Sequence, residues 1–138
     1  MGAAPLHRVL RPLVQAHLHW AAWEARIHTH GFTIERPRTE PHPAYTHIIY
    51  PLDYGYVNGT PAPDGDDLDL FVGTAPTGLV GAILTTDHHK GDREVKLLYC
   101  CTPAEVYCAH GFINYDRTLL EGELVLRRPM HALWAEVL

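Results

Sequence analysis

The sequence is missing several features that would assign it to a class at once. It has no apolar run of about eighteen residues, so no membrane-spanning helix is expected. It has no basic excess. The formal net charge is -5, which argues against a nucleic-acid partner. A phosphate-bearing substrate stays open, because divalent metals reverse the local field. Cysteine is scarce and odd in number, at Cys100, Cys101 and Cys108. That argues against a disulfide framework and suits a reducing cytoplasm. The first residues, MGAAPLHRVLRPLVQAHLHWAAWE, lack the clean apolar block of a signal peptide. What is present is enough for a core. The 138 residues are 46% apolar and 20% charged, which fits one folded domain over 1–138.

No internal repeat is evident. The segment 5–28 reads as an N-terminal helix. Leu6, Val9, Leu10, Leu13 and Leu18 are roughly helically spaced, and Pro12 delays or kinks it. Its apolar face suits a core or oligomer contact better than a membrane surface. GFTIE then reads as a strand, the proline-rich RPRTEPHPAY as a loop, and THIIYPL as a short strand. Asn58-Gly59 signals a tight turn, and DGDD another. In LDLFVG, Leu68, Leu70 and Val72 share one strand face and Asp67 and Asp69 the other. GLVGAILTT and VKLLYCC read as strands around the polar turn DHHKGDRE. Thr102, Pro103 and Glu105 carry the cap, first-position proline and capping-box acid of a helix, PAEVYCAHGFI. GELVLRRP reads as a last strand, with a short helical piece after it. Short strands joined by turns, with a few flanking helices, point to a mostly β fold: a small closed or highly curled barrel.

The chemistry centres on Asp64, Asp66, Asp67 and Asp69, which crowd one turn and the strand it feeds. Like charges raise each other's pKa and destabilise unless something neutralises them. Solvent does so, and the segment is an acidic turn, or a basic partner does, or a hard cation such as Mg²⁺ does, through oxygen ligands. An EF-hand is a poor match, since the closing glutamate is missing. Lys96 stands in an otherwise apolar strand, where a buried ammonium needs a partner. Glu94 shares its strand face, and Asp87 and Asp92 flank the preceding turn. His88-His89 is a candidate metal pair, although neighbours on a strand point apart. Cys100 and Cys101 read as packed thiols.

The run YPLDYGYVNGT followed by DGDDLDL resembles the soluble inorganic pyrophosphatases of the compact barrel type, in a short, divergent branch. The resemblance is clear over Tyr50 to Gly73 and weaker through TTDHHKGDREVKLL and INYDRTLLEGE. It implies an OB-like barrel and hydrolysis of pyrophosphate to two phosphates. Asp64, Asp69 and an acid near Lys96, where Glu94 stands, would bind Mg²⁺, with Mn²⁺ as an alternative, and Asp87 would be a further metal ligand if the turn carries two extra residues. Asp66 would take the proton of the attacking water. Tyr54 would hydrogen-bond within the centre, Lys96 would contact phosphate, and Tyr115 would touch the product. Glu94 stands where the family has aspartate. Asp116 stands where a lysine is expected. The phosphate-clamping basic residues lack secure equivalents, and Arg36 and Arg38 are the candidates. The resemblance also implies a cytoplasmic homo-oligomer. Three rivals stand beside this reading: a hydrolase of another small phosphoanhydride, such as a nucleotide; a degenerate relative that binds metal or phosphate, or acts through an oligomer interface, without turnover; and a purely structural acidic turn.

Overall fold

A computed structural model describes residues 18–59 and 68–134. Helix α1 (Trp20–His30) leads through Gly31 into β1 (Phe32–Arg36). There follow β2 (Asp53–Val57), β3 (Asp69–Val72), β4 (Leu79–Asp87) and β5 (Arg93–Tyr99). Helix α2 (Pro103–Ile113), β6 (Leu120–Leu126) and the short α3 (Met130–Leu133) complete the described chain. The strands form one sheet in the order β1-β2-β3-β5-β4-β6. Neighbours are antiparallel except β3 and β5, which run parallel.

The sheet is open, which corrects the expected closed or highly curled barrel. Its order is linear, β1 and β6 are its edges, and no ladder joins them among the described residues. The physical reason lies in the strand faces. A barrel encloses one apolar interior, but here both faces are apolar. Leu70, Val57 and Leu97 pack with Ile27, Trp20 and Trp23 of α1. Phe71, Leu98 and Ile83 pack with Val106, Ala109 and Ile113 of α2. A helix on each side buries both sets, the usual solution for a sheet with two apolar faces. The mostly β composition with flanking helices is as expected.

Local signals explain the elements. Thr102 caps α2, accepting from the Glu105 N–H at 3.1 Å, and the Glu105 carboxylate accepts from the Thr102 N–H at 2.8 Å. The expected THIIYPL strand reduces to one bridge, Pro41 to Ile49. Pro41, Pro43 and Pro51 lack the N–H groups that a longer ladder needs. Gly55, between Tyr54 and Tyr56, has no alternative: a Cβ there would run into the Thr33 carbonyl of β1. On the other side of the sheet, Glu24 of α1 accepts from the Leu79 N–H at 2.9 Å and from Arg127 at 3.0 Å, tying the helix to β4 and the segment after β6. Leu6, Val9, Leu10 and Leu13 of the expected N-terminal helix lie outside the described residues. No helix among the described residues is long and apolar enough to cross a membrane.

Candidate functional site

Three strands bring four side chains to one place on the α2 face. Tyr54 comes from β2, Asp69 from β3, and Glu94 and Lys96 from β5. Parallel pairing sets Asp69 directly beside Lys96, and period two puts Glu94 on the same face. The Lys96 ammonium donates to Tyr54 Oη at 2.9 Å, Asp69 Oδ2 at 3.1 Å and Glu94 Oε2 at 3.1 Å. Its three protons are thereby all used. Tyr54 in turn donates to Asp69 Oδ2 at 2.7 Å.

The electrostatics follow from burial. Lys96 is only 8% exposed. Burial alone would push its ammonium down, but the Tyr54 oxygen and the Asp69 and Glu94 carboxylates outweigh it and hold the pKa above the ordinary lysine range. Burial pushes the Tyr54 phenol well up, so Tyr54 is neutral at neutral pH. The two carboxylates therefore supply the countercharge for the ammonium.

This network forms one wall of a cavity of about 520 Å³ between β5, the loop before β2 and the end of α2. Asp87 lines it from the β4–β5 turn. Its Oδ1 accepts from the Lys90 and His89 N–H groups, each at 2.9 Å, and these bonds, Lys90 first, hold its carboxyl below the ordinary range. Lys90, His89, His42, Tyr115 and Asp116 also line the cavity. Tyr115 is 66% exposed, its ring 6.3 Å from that of His47.

Other sequence candidates stand elsewhere. Arg36 and Arg38 do not line the cavity. Arg36 donates to the Glu35 carbonyl, and Arg38 to that of Pro51, with its guanidinium 3.8 Å from Glu105. Asp53 accepts from the Arg38 N–H at 2.8 Å and so fastens the β1–β2 connection. His88 turns away from His89 to meet Glu121 at 2.8 Å. Cys101 is buried, and burial raises its thiol pKa far above the range of a nucleophile. Asp64, Asp66 and Asp67 lie outside the described residues. Sequence reasoning missed Lys90. Its one signal was a lone cation in a turn between two acids, Asp87 and Asp92.

A wider groove of about 820 Å³ runs along β6 and is lined by Arg117, Arg127 and Arg128. Two of these cations are committed: Arg127 to Glu24 and Arg117 to Glu121, at 3.0 and 3.1 Å. Among the described residues that line it, the groove shows no counterpart to the lysine–carboxylate–phenol network, so the smaller cavity is the candidate site.

No protein-family model matches this chain, and no curated protein matches it. Among solved structures, an inorganic pyrophosphatase from Coxiella burnetii superposes with a TM-score of 0.50 at 17% identity, covering 69% of this chain and 84% of that one. The inorganic pyrophosphatase of Helicobacter pylori gives 0.49 at 15% identity, covering 70% and 83%. The first likeness shows a shared fold and no more. The compact-barrel form that the sequence resemblance implied is overturned by the open sheet.

Proposed function

We propose that the chain hydrolyses a phosphoanhydride bond in a small substrate, inorganic pyrophosphate being the simplest, with Mg²⁺ or Mn²⁺. The observation that carries this reading is the buried lysine held by two carboxylates and a phenol against a cavity. Such perturbed, mutually bonded groups in a cleft are candidates for a functional site.

The charges support a need for metal. Asp69, Asp87, Glu94 and Asp116 line the cavity against Lys90 and Lys96. A polyanion meets net negative charge there unless cations accompany it. The donors are hard oxygens, the kind Mg²⁺ takes. The described residues contain no ready group of three ligands. In this reading Asp69 and Glu94 would hold the cation together with Asp64, and Asp87 is a further ligand candidate. When bound, the cation supplies charge neutralisation and Lewis acidity to phosphate oxygens.

The remaining steps belong to the chain. Asp66 accepts a proton from the attacking water. Lys96 balances charge on the phosphate, and Tyr54 holds Asp69 in place. The three free thiols suit a cytoplasmic enzyme. Homo-oligomerisation is part of the same reading, and the two open sheet edges offer surfaces for it.

Two observations favour a second reading, a binder without turnover. Lys96 already neutralises part of the acid pair, and neither Arg36 nor Arg38 lines the cavity. A phosphate-release assay separates the two. The hydrolase releases phosphate only with Mg²⁺ or Mn²⁺, and Asp66→Asn loses about 100-fold in turnover while keeping its fold. Normal turnover in that variant removes Asp66 as the base. Metal-dependent pyrophosphate binding without release establishes the second reading.

A further inference from the structure

The cavity has a second half that a bare diphosphate would leave unused. From the charged network a ladder of rings leads outward. Tyr54 lies 5.3 Å from Tyr50, centroid to centroid. Tyr50 stacks on His42 at 6.0 Å with planes 3° apart, and His42 meets Tyr45 at 5.2 Å. Phe112 braces Tyr50 from α2 at 4.7 Å. Tyr45 is 38% exposed although it lines the cavity, so part of a ring surface is left to solvent. Ile48, Leu119 and Leu120 complete an apolar lining at this site.

A ligand that fills such a space carries both an anion and a flat apolar body. Inorganic pyrophosphate has only the anion. The volume of about 520 Å³ is that of pockets that enclose organic ligands rather than small ions. Ring surfaces next to cations are how proteins hold nucleobases, because every base offers a π-face and base–aromatic stacking tolerates sequence.

We infer that the cavity takes a nucleoside diphosphate, with its phosphates toward Lys96 and Lys90 and its base against Tyr45. This rests on the proposed phosphoanhydride site and names its substrate class. The reaction balances with water alone. The water oxygen bonds to the terminal phosphorus, and the bond from that phosphorus to the bridging oxygen breaks. The electron pair stays on the nucleoside monophosphate, one proton of the water stays on the new phosphate oxygen, and the other is released to solvent. The products are a nucleoside monophosphate and orthophosphate.

The test uses the full chain with Mg²⁺, ADP and inorganic pyrophosphate, read by calorimetric titration and by phosphate release. ADP is expected to bind more tightly than pyrophosphate. Tyr45→Ala is expected to lower the ADP-to-pyrophosphate ratio of kcat/KM about tenfold, and Tyr45→Phe to restore it, since stacking needs the ring and not the hydroxyl. Pyrophosphate cleaved with ADP neither bound nor cleaved overturns this inference and leaves the hydrolase reading standing. ADP bound in a Tyr45-dependent way, with neither compound cleaved, supports the nucleotide site and removes the hydrolase reading. A ratio unmoved in Tyr45→Ala overturns the assignment of the base to Tyr45.

Discussion

Helix α2 has a buried or half-buried acid group near each end, and the two are held in different ways. At its N-terminus Glu105 is satisfied mainly by two backbone N–H groups and a hydroxyl: the Thr102 N–H, the Thr74 N–H at 3.0 Å and the Thr74 hydroxyl at 3.1 Å, with the Arg38 guanidinium farther off at 3.8 Å. Gly73 presses against it so closely that a Cβ there would meet its carboxylate. Near its C-terminus Asp69 and Glu94 are held, among the described residues, by the side chains of Lys96 and Tyr54, and they open on a cavity. A carboxylate saturated by fixed groups in a filled space builds the fold. One held by side chains at a cavity wall has room to exchange partners with a ligand. Burial alone does not distinguish the two; the kind of partner does.

Breaking the cavity end gives the largest expected effect. Lys96→Met leaves Asp69 and Glu94 beside each other without their cation. Turnover should fall by about 100-fold, the scale of losing one charge-stabilising donor. Stability in urea should fall by roughly 3 kcal/mol, the low end for breaking a buried pair, because both acids are partly exposed. Lost stability with unchanged turnover would place this cluster in the same structural role as Glu105.

Glu105→Ala sharpens the contrast from the other side. It removes a capping-box acid and its bonds to Thr74, so unfolding free energy should fall by about 2 kcal/mol with kcat retained. A matching loss of kcat in the folded variant would erase the distinction between the two ends.

The two ends also titrate in opposite directions. Glu105 and Glu24 are held below their ordinary value of 4.5. Burial opposes this in each, and the N–H bonds, from Thr102 and Thr74 to Glu105 and from Leu79 to Glu24, outweigh it. Their contribution is full above that value and is lost as pH falls through the folded pKa. Lys96 is held above its ordinary 10.5, so its contribution is full below that value and is lost as pH rises through the folded pKa. Urea melts across pH should show an acid limb weakened in Glu105→Ala and an alkaline limb weakened in Lys96→Met. The reverse assignment would contradict the ionisation states described. The smallest effect is that of Glu24→Gln on the far face, about 1 kcal/mol from a charge-assisted bond to Arg127, with no change in turnover.

Much of this was legible in the sequence where the signal is local. The faces of β3 follow from period two: Leu68, Leu70 and Val72 pack toward α1, and Asp69 points the other way. The capping box at Thr102 fixed the start of α2 to the residue. Glu94 and Lys96 on one face follow from the same alternation. Closure of the sheet is not local. It depends on whether β1 and β6 pair, and a period-two pattern is blind to that. The adjacent apolar pairs Leu70-Phe71 and Leu97-Leu98, one residue on each face, were the available sign of a sheet covered twice. The parallel β3–β5 pairing that aligns Asp69 with Lys96 is likewise a long-range fact. Lys90 enters the cavity through the shape of the β4–β5 turn, set by Asp87 accepting two backbone N–H groups and by Gly91 at φ 76°. No residue pattern announces that geometry.

The proposed function places hydrolysis at the Lys96 end of the cavity. Its most direct measurement is phosphate release from inorganic pyrophosphate and from ADP, with and without Mg²⁺, by the wild-type chain and Lys96→Met. The account predicts metal-dependent release from at least one of the two by the wild type, reduced about 100-fold in the folded variant. Equal release by both proteins, or none by the wild type from either compound, would contradict it.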